Sequence, residues 1–176
     1  MSTLKVPVTK ADHILGNDKA SITLVEYGDF QCPHCERAHV VMQQILKHFG
    51  NQLRYVFRNF PLTEIHPFAE KAAETAEFAA QFNRYWQMHN LLFDNQNLFS
   101  DSLFEELAVA LKLPSNELNE ALAKKTFESK IKSDFLGGVK SGVNGTPTFF
   151  INEHRYNGSF EFEDLASAID AMLLNP

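Results

Sequence analysis

Cys32-Pro33-His34-Cys35 holds both cysteines of the chain, and their spacing sets the chemistry they could do. On a helix, residues i and i+3 share a face, so the two sulfurs can close a small disulfide ring or open to a dithiol. Such a pair carries two electrons. A structural disulfide, half of a zinc site and a chance pairing are the competing readings. A disulfide across so short a loop removes little unfolded-state entropy and makes a poor staple. A zinc finger needs a second pair of ligands at matching spacing, and the chain has no third cysteine. The pair therefore points to redox chemistry.

The elements around the pair are readable. Ser21 to Tyr27 is β-branched and apolar, bounded by Asp18-Lys19 and Gly28-Asp29, and reads as a buried strand. From Pro33 the pattern turns helical, with Ala38, Val41, Met42, Ile45, Leu46 and Phe49 recurring at three and four until Gly50-Asn51 stop it. The cysteines lie where a strand passes into a helix. Pro33, with no N–H and a preset φ, suits a first helical turn, which could be its whole role. Cys32 begins the helix, where unpaired N–H groups and the macrodipole favour a thiolate, while Cys35 sits one turn inside. His34, when protonated, can add to that stabilisation; the bland alternative is a solvated helix-end histidine.

Leu53 to Asn59 alternates as a second strand, closed by Pro61. From Pro67 to about Gly142 the chain is helical in pattern, with apolar stripes at Phe68/Ala72/Ala76/Ala79, Tyr85/Met88/Leu92, Phe104/Leu107/Leu111 and Phe127/Ile131/Phe135. Ser102 with Glu105 predicts a capping box, and Pro114-Ser115 opens a short helix through Lys124. Thr148 to Ile151 reads as a strand, paired through an Asn152-Glu153 turn with His154 to Tyr156, and a last helix carries Phe162, Leu165, Ala166, Ile169 and Met172. A crossover between parallel strands needs about a dozen residues. Asn59 and Thr148 are much farther apart, so a helical subdomain is inserted into a mixed sheet flanked by helices, an α/β fold.

At 176 residues with 44% hydrophobic content, the chain suits one globular domain with an insertion. The formal charge of −6 and the lack of any Lys or Arg run make nucleic acid an unlikely partner. No stretch approaches the ~18 apolar residues of a membrane span, and the first residues carry no apolar signal region. As written, the expectation is a cytoplasmic protein. A mature form with a replaced N-terminus would instead be periplasmic or otherwise extracytoplasmic.

With these residues placed, the chain resembles the thioredoxin superfamily and, within it, the DsbA-like thiol:disulfide oxidoreductases. Cys32-Pro33-His34-Cys35 matches the DsbA-type active site, Gly145-Thr146-Pro147-Thr148-Phe149-Phe150 is similar to the cis-proline loop, and Tyr85 to Phe93, with Phe57 to Leu62 before it, resembles the helical insertion and its entry. The resemblance implies a thioredoxin-like domain over residues 12–62 and 126–176, an inserted all-helical subdomain over 63–125 and an N-terminal extension over 1–11. It implies that Cys32 attacks, that Cys35 resolves the mixed disulfide, and that Glu26, on one strand face with Ile22 and Leu24, is a buried acid of raised pKa that shuttles the proton. A solvent-exposed glutamate at a sheet edge is the alternative. Thr146 and the cis Pro147 would pair with an extended substrate segment. Thr146 could also offer its hydroxyl to the active-site sulfur. The implied partners are cysteine-containing protein substrates and a second redox protein that recharges the pair, with no cofactor.

The direction expected is dithiol oxidation; a disulfide isomerase or cytosolic reductase is the nearer alternative. A metal-binding module using Cys32, Cys35 and His39, which share a helical stripe, is the remote one. His89 and Trp86 are expected to pack within the insertion, and His13, His48, His66 and His154 to take surface or turn positions.

Overall fold

The computed structural model describes residues 2–174; Met1 of the predicted extension and Asn175 and Pro176 at the end of the predicted thioredoxin-like domain lie outside the described residues. Five strands form one mixed sheet: β1 (His13–Gly16), β2 (Ile22–Gly28), β3 (Leu53–Asn59), β4 (Thr148–Ile151) and β5 (His154–Tyr156), in the order β1-β3-β2-β4-β5. β2 and β3 run parallel, as their helical connection requires, and the other pairings are antiparallel. The helices are α1 (Pro33–Phe49), α2 (Ala69–Ala80), α3 (Tyr85–Asp94), α4 (Asp101–Ala110), α5 (Ser115–Ala123), α6 (Glu128–Lys140) and α7 (Phe162–Leu174).

The central strand β2 is buried on both faces, which is why it reads as a continuous apolar run rather than an alternating one. Ile22 and Leu24 face the larger core with Leu53, Tyr55 and Phe57 of β3, Phe149 and Ile151 of β4, and buried residues of α1, α2, α3, α4, α5 and α7. Val25 and Tyr27 face a smaller core with Val56, Phe60 and Phe150, closed by Phe135 of α6 and by Leu4, Val8 and Ile14 from the N-terminal segment. The sheet and the inserted helices thus share one apolar core. On the opposite face α6 approaches so closely that a Cβ on Gly138 would lie 2.7 Å from the Phe60 ring.

Three local expectations need correction. β1 is a strand that its four residues did not announce, because so short a segment shows no alternation and is held only by its register on β3. The cap of α4 is Ser100, whose hydroxyl accepts the Leu103 N–H at 3.2 Å, rather than Ser102. His13 and His66 are part-buried and hydrogen-bonded to acids: His13 stacks on Tyr85 and meets Glu77 at 2.8 Å, and His66, beside the turn after β3, meets Asp29 at 2.7 Å. The predicted Asn152-Glu153 turn is present. Asn152 adopts φ +53° there, and its backbone N–H and side-chain oxygen both bond to Thr23, tying the hairpin to β2.

Gly28 ends β2 where no side chain fits. A Cβ there would sit 2.4 Å from Phe57 Cε2 and 3.0 Å from Glu26 Oε1. Gly28→Ala is expected to cost about 1–3 kcal/mol of stability through overpacking, read as a lowered urea midpoint at unchanged slope.

Candidate active site

The cysteine pair sits at the junction of β2 and α1. Cys32 is the N-cap residue of α1 with extended backbone (φ −74°, ψ 123°), and Pro33 is the first helical residue. The Cys35 side chain, the Thr146 side chain and the first-turn backbone at Cys35 and His34 act as donors that favour the Cys32 thiolate, while the Cys35 N–H also closes the first turn on the Cys32 carbonyl oxygen at 3.0 Å. Both cysteines are free thiols. Against the cost of burial, these donors pull the Cys32 pKa from 9.0 down to about 5. Cys35 moves the other way. Fully buried, and facing the charge of Glu26 and Cys32, it is raised well above 9, although the Asp29 N–H reaches its sulfur at 3.5 Å.

Pro33 and His34 are exposed on the first turn, so His34 presents its backbone to the sulfur and its ring to solvent. Glu26 is 1% exposed, on the same strand face as Ile22 and Leu24. Burial raises its pKa to about 8, opposed by a hydrogen bond that Tyr55 Oη donates to Oε2 at 2.5 Å. From the opposite side comes the loop before β4. The Thr146–Pro147 peptide is cis, and the Cys32 thiol approaches the Thr146 carbonyl oxygen at 3.5 Å. The Thr146 hydroxyl is buried without a hydrogen-bond partner and is among the groups that favour the Cys32 thiolate. Cys32, Cys35, Glu26, Thr146 and Pro147 therefore converge, although more than a hundred residues separate the first from the last.

His39 does not join them. Its ring stacks on Phe93 at 5.0 Å and its Nε2 lies 3.0 Å from Gln43 Nε2. Among the described residues no three His, Cys, Asp or Glu side chains are arranged to hold a metal ion, so the set Cys32, Cys35 and His39 does not fit one. The physical reason is burial: His39 belongs to the aromatic layer with His89 and Phe93, and desolvation lowers its pKa.

Sequence reasoning missed the residues that hold the loop in place. Asp29, buried, accepts the N–H groups of Gln31 and Leu62 and bonds His66 Nδ1. Gln31 Oε1 accepts the Phe68 N–H at 2.6 Å. Gln96, in a short 3₁₀ turn of the insertion, donates to the carbonyls of Phe30 and Cys32 at 2.8 and 3.0 Å. Asp29 bounds the predicted strand in sequence, and neither Asp29 nor Gln96 carries a local signal of its partner. Tyr55 read as one member of an apolar stripe, although the alternation of β3 puts it on the face that Glu26 shares.

The sequence profile of the thioredoxin family matches residues 8–171. The chain belongs to the thioredoxin family. Among solved structures it is similar to BdbD from Bacillus subtilis, at 25% identity and TM-score 0.87 with 99% of each chain covered. It is also similar to alpha-DsbA1 from Wolbachia pipientis, at 25% identity and TM-score 0.83, covering 96% of this chain and 94% of that one. These DsbA-like neighbours support an oxidoreductase of the thiol–disulfide class. A curated relative, the Na(+)/H(+) antiporter NhaA 1 of Salinispora arenicola, is 41% identical over 167 residues, which is 94% of this chain and 26% of that protein. The chain thus spans about a quarter of the length of the curated relatives it matches, and the antiporter name belongs to those longer proteins. No helix among the described residues is long and apolar enough to cross a membrane.

Two measurements check these electrostatics. Alkylation of the reduced protein by iodoacetamide is expected to follow a thiolate titrating near pH 5 at Cys32, with Cys35 unreactive at pH 7. For Glu26 the raised pKa means that the folded state binds the proton more tightly than the unfolded one. Its stability contribution is complete below about pH 4.5 and is lost as pH rises through 8. Glu26→Gln should therefore gain stability over the wild type across that interval, by on the order of a few kcal/mol, in urea unfolding at a series of pH values.

Proposed function

We propose that this protein is a thiol:disulfide oxidoreductase that passes its Cys32–Cys35 disulfide to cysteines of protein substrates. A substrate thiolate attacks Cys32 Sγ, the Cys32–Cys35 bond breaks, and Cys35 leaves as a thiolate that takes a proton from Glu26. A second substrate thiolate then attacks the substrate sulfur of the mixed disulfide and releases Cys32 as a thiolate. The substrate is oxidised by two electrons, and the pair is left as a dithiol for a redox partner to recharge.

The observation that carries the direction is the opposed acidity of the two sulfurs. A Cys32 thiolate stable from about pH 5 upward is a good leaving group and stabilises the dithiol product, which favours donation of the disulfide. His34, on the exposed first turn beside the sulfur, adds positive charge to that site when protonated, and Pro33 presets the turn. The Thr146 carbonyl beside Cys32, with Pro147 after it, supports a backbone contact to an extended cysteine-bearing segment. One feature favours the second reading, an isomerase or reductase: the residue before Pro147 is a threonine whose buried hydroxyl can be offered to the Cys32 sulfur and so alter the potential of the pair.

The redox potential separates these. A value towards about −120 mV, as in DsbA, is expected, whereas one near thioredoxin's, about −270 mV, would establish a reductase. Reoxidation of reduced ribonuclease should outpace insulin reduction, and Cys32→Ser should abolish both. Chemical denaturation should find the dithiol form more stable than the disulfide form at pH 7. Because the Cys32 pKa is depressed on folding, that advantage should shrink as pH falls through about 5.

A further inference from the structure

We propose that Tyr55 is a positioning residue for proton transfer at Cys35, its hydroxyl holding the Glu26 carboxyl in the pose from which that acid takes the proton of the Cys35 thiol. The inference rests on the exchange reaction proposed above and assigns a role to a residue outside the cysteine and proline motifs.

The geometry is that of a buried, short hydrogen-bonded pair. Tyr55 Oη and Glu26 Oε2 are 2.5 Å apart, and the two residues are 2% and 1% exposed. In the parallel register Leu24 lies opposite Tyr55 and Glu26 opposite Phe57, so tyrosine and acid share one face a step apart. The ring is packed inside the core. Trp86 of the insertion lies 5.4 Å from it, and the indole N–H is fixed by the Ile14 carbonyl. The carboxyl is enclosed too, since Glu26 is buried in the central strand.

The titratable groups around this pair come from three elements: Cys32 and Cys35 of α1, Tyr55 of β3, and Tyr85 and His89 of α3; β4 sets Phe149 opposite Glu26 in register. His89, buried in an aromatic cage with a pKa near 3, stays neutral. Burial and Cys32 both favour the neutral acid. The Tyr55 hydroxyl is the group acting on Glu26 that favours the carboxylate. A carboxylate is what the resolving step needs: Glu26 takes the Cys35 proton, the Cys35 thiolate attacks Cys32 Sγ of a mixed disulfide, the bond from Cys32 to its partner sulfur breaks, and the partner leaves as a thiolate.

The aryl disulfide 5,5′-dithiobis(2-nitrobenzoate) reads the two sulfurs in sequence on the full chain. Cys32 attacks first and releases one nitrothiophenolate; Cys35 then resolves the adduct and releases the second. In wild type the second phase should rise with pH through one ionisation. In Tyr55→Phe that ionisation should move up by about one unit, slowing the second phase roughly tenfold at pH 7, while the first phase changes little. Glu26→Gln should abolish the ionisation, and Glu26→Gln/Tyr55→Phe should behave as Glu26→Gln alone. An unchanged second-phase profile in Tyr55→Phe overturns the assignment, as does equal slowing in the Glu26→Gln background, which would mark a merely structural role. Release of a single equivalent by wild type is a different failure, since it overturns the exchange reaction itself together with the role of Tyr55. A measurement that needs no variant is the carbon-13 shift of the Tyr55 Cζ in labelled wild type. It should move with the titration of Glu26, and a flat shift across that range overturns the proposal.

Discussion

Everything at this site depends on where negative charge is stable. The chain turns from β2 into α1 so that one sulfur stands at the helix N-terminus, where the Cys35 side chain and the first-turn backbone favour its thiolate, while the other, three residues on, is sealed in the core. The same peptide dipoles that would go unpaired at any helix N-terminus are spent on a thiolate. Two chemically identical side chains thereby acquire opposite acidities. Glu26 adds the complementary element, an acid whose burial raises its pKa to about 8.

Such an arrangement works only if the junction is held still, and the inserted helices do much of this. Gln96 fixes the carbonyls of Phe30 and Cys32, Gln31 reaches the N-terminal end of α2 through Phe68, and Asp29 gathers Gln31, Leu62 and His66 around its buried carboxylate. The N-terminal segment is fastened on the other face by Arg58, which binds Asp12 in a two-pronged pair together with the Val6 and Pro7 carbonyls and the Tyr27 hydroxyl. Asp29, Arg58 and Gln96 are buried at the centre of these contacts, so leaving one of them unpaired would cost a desolvation penalty rather than a single weak bond.

What could be read from the residues alone followed the range of the interactions involved. Elements whose pattern is local, such as β2, α1, the Asn152 turn and α7, stand where their spacing places them. β1 escaped notice because four residues cannot show a period and its stability comes from β3. Ser100 rather than Ser102 caps α4 because several hydroxyls lie within one turn and the chain path chooses between them. His39 shared a helical stripe with the cysteines, yet the aromatic side chains of α3 draw its ring away from them. The hydrogen bonds of His13 and His66 to Glu77 and Asp29 were not legible because those partners are distant in sequence.

The residues by themselves determined the pair: two cysteines one helical turn apart, the first at a strand-to-helix junction, with a proline to start the turn. That followed from spacing and backbone preference, which act over a few neighbours. Only the tertiary structure decided how unequal the two sulfurs are, that Thr146 meets Cys32 across the site, and that Tyr55 rather than a charged side chain holds Glu26. Those outcomes depend on burial and on contacts between segments far apart in the chain, and neither is present until the sheet has closed over its helices.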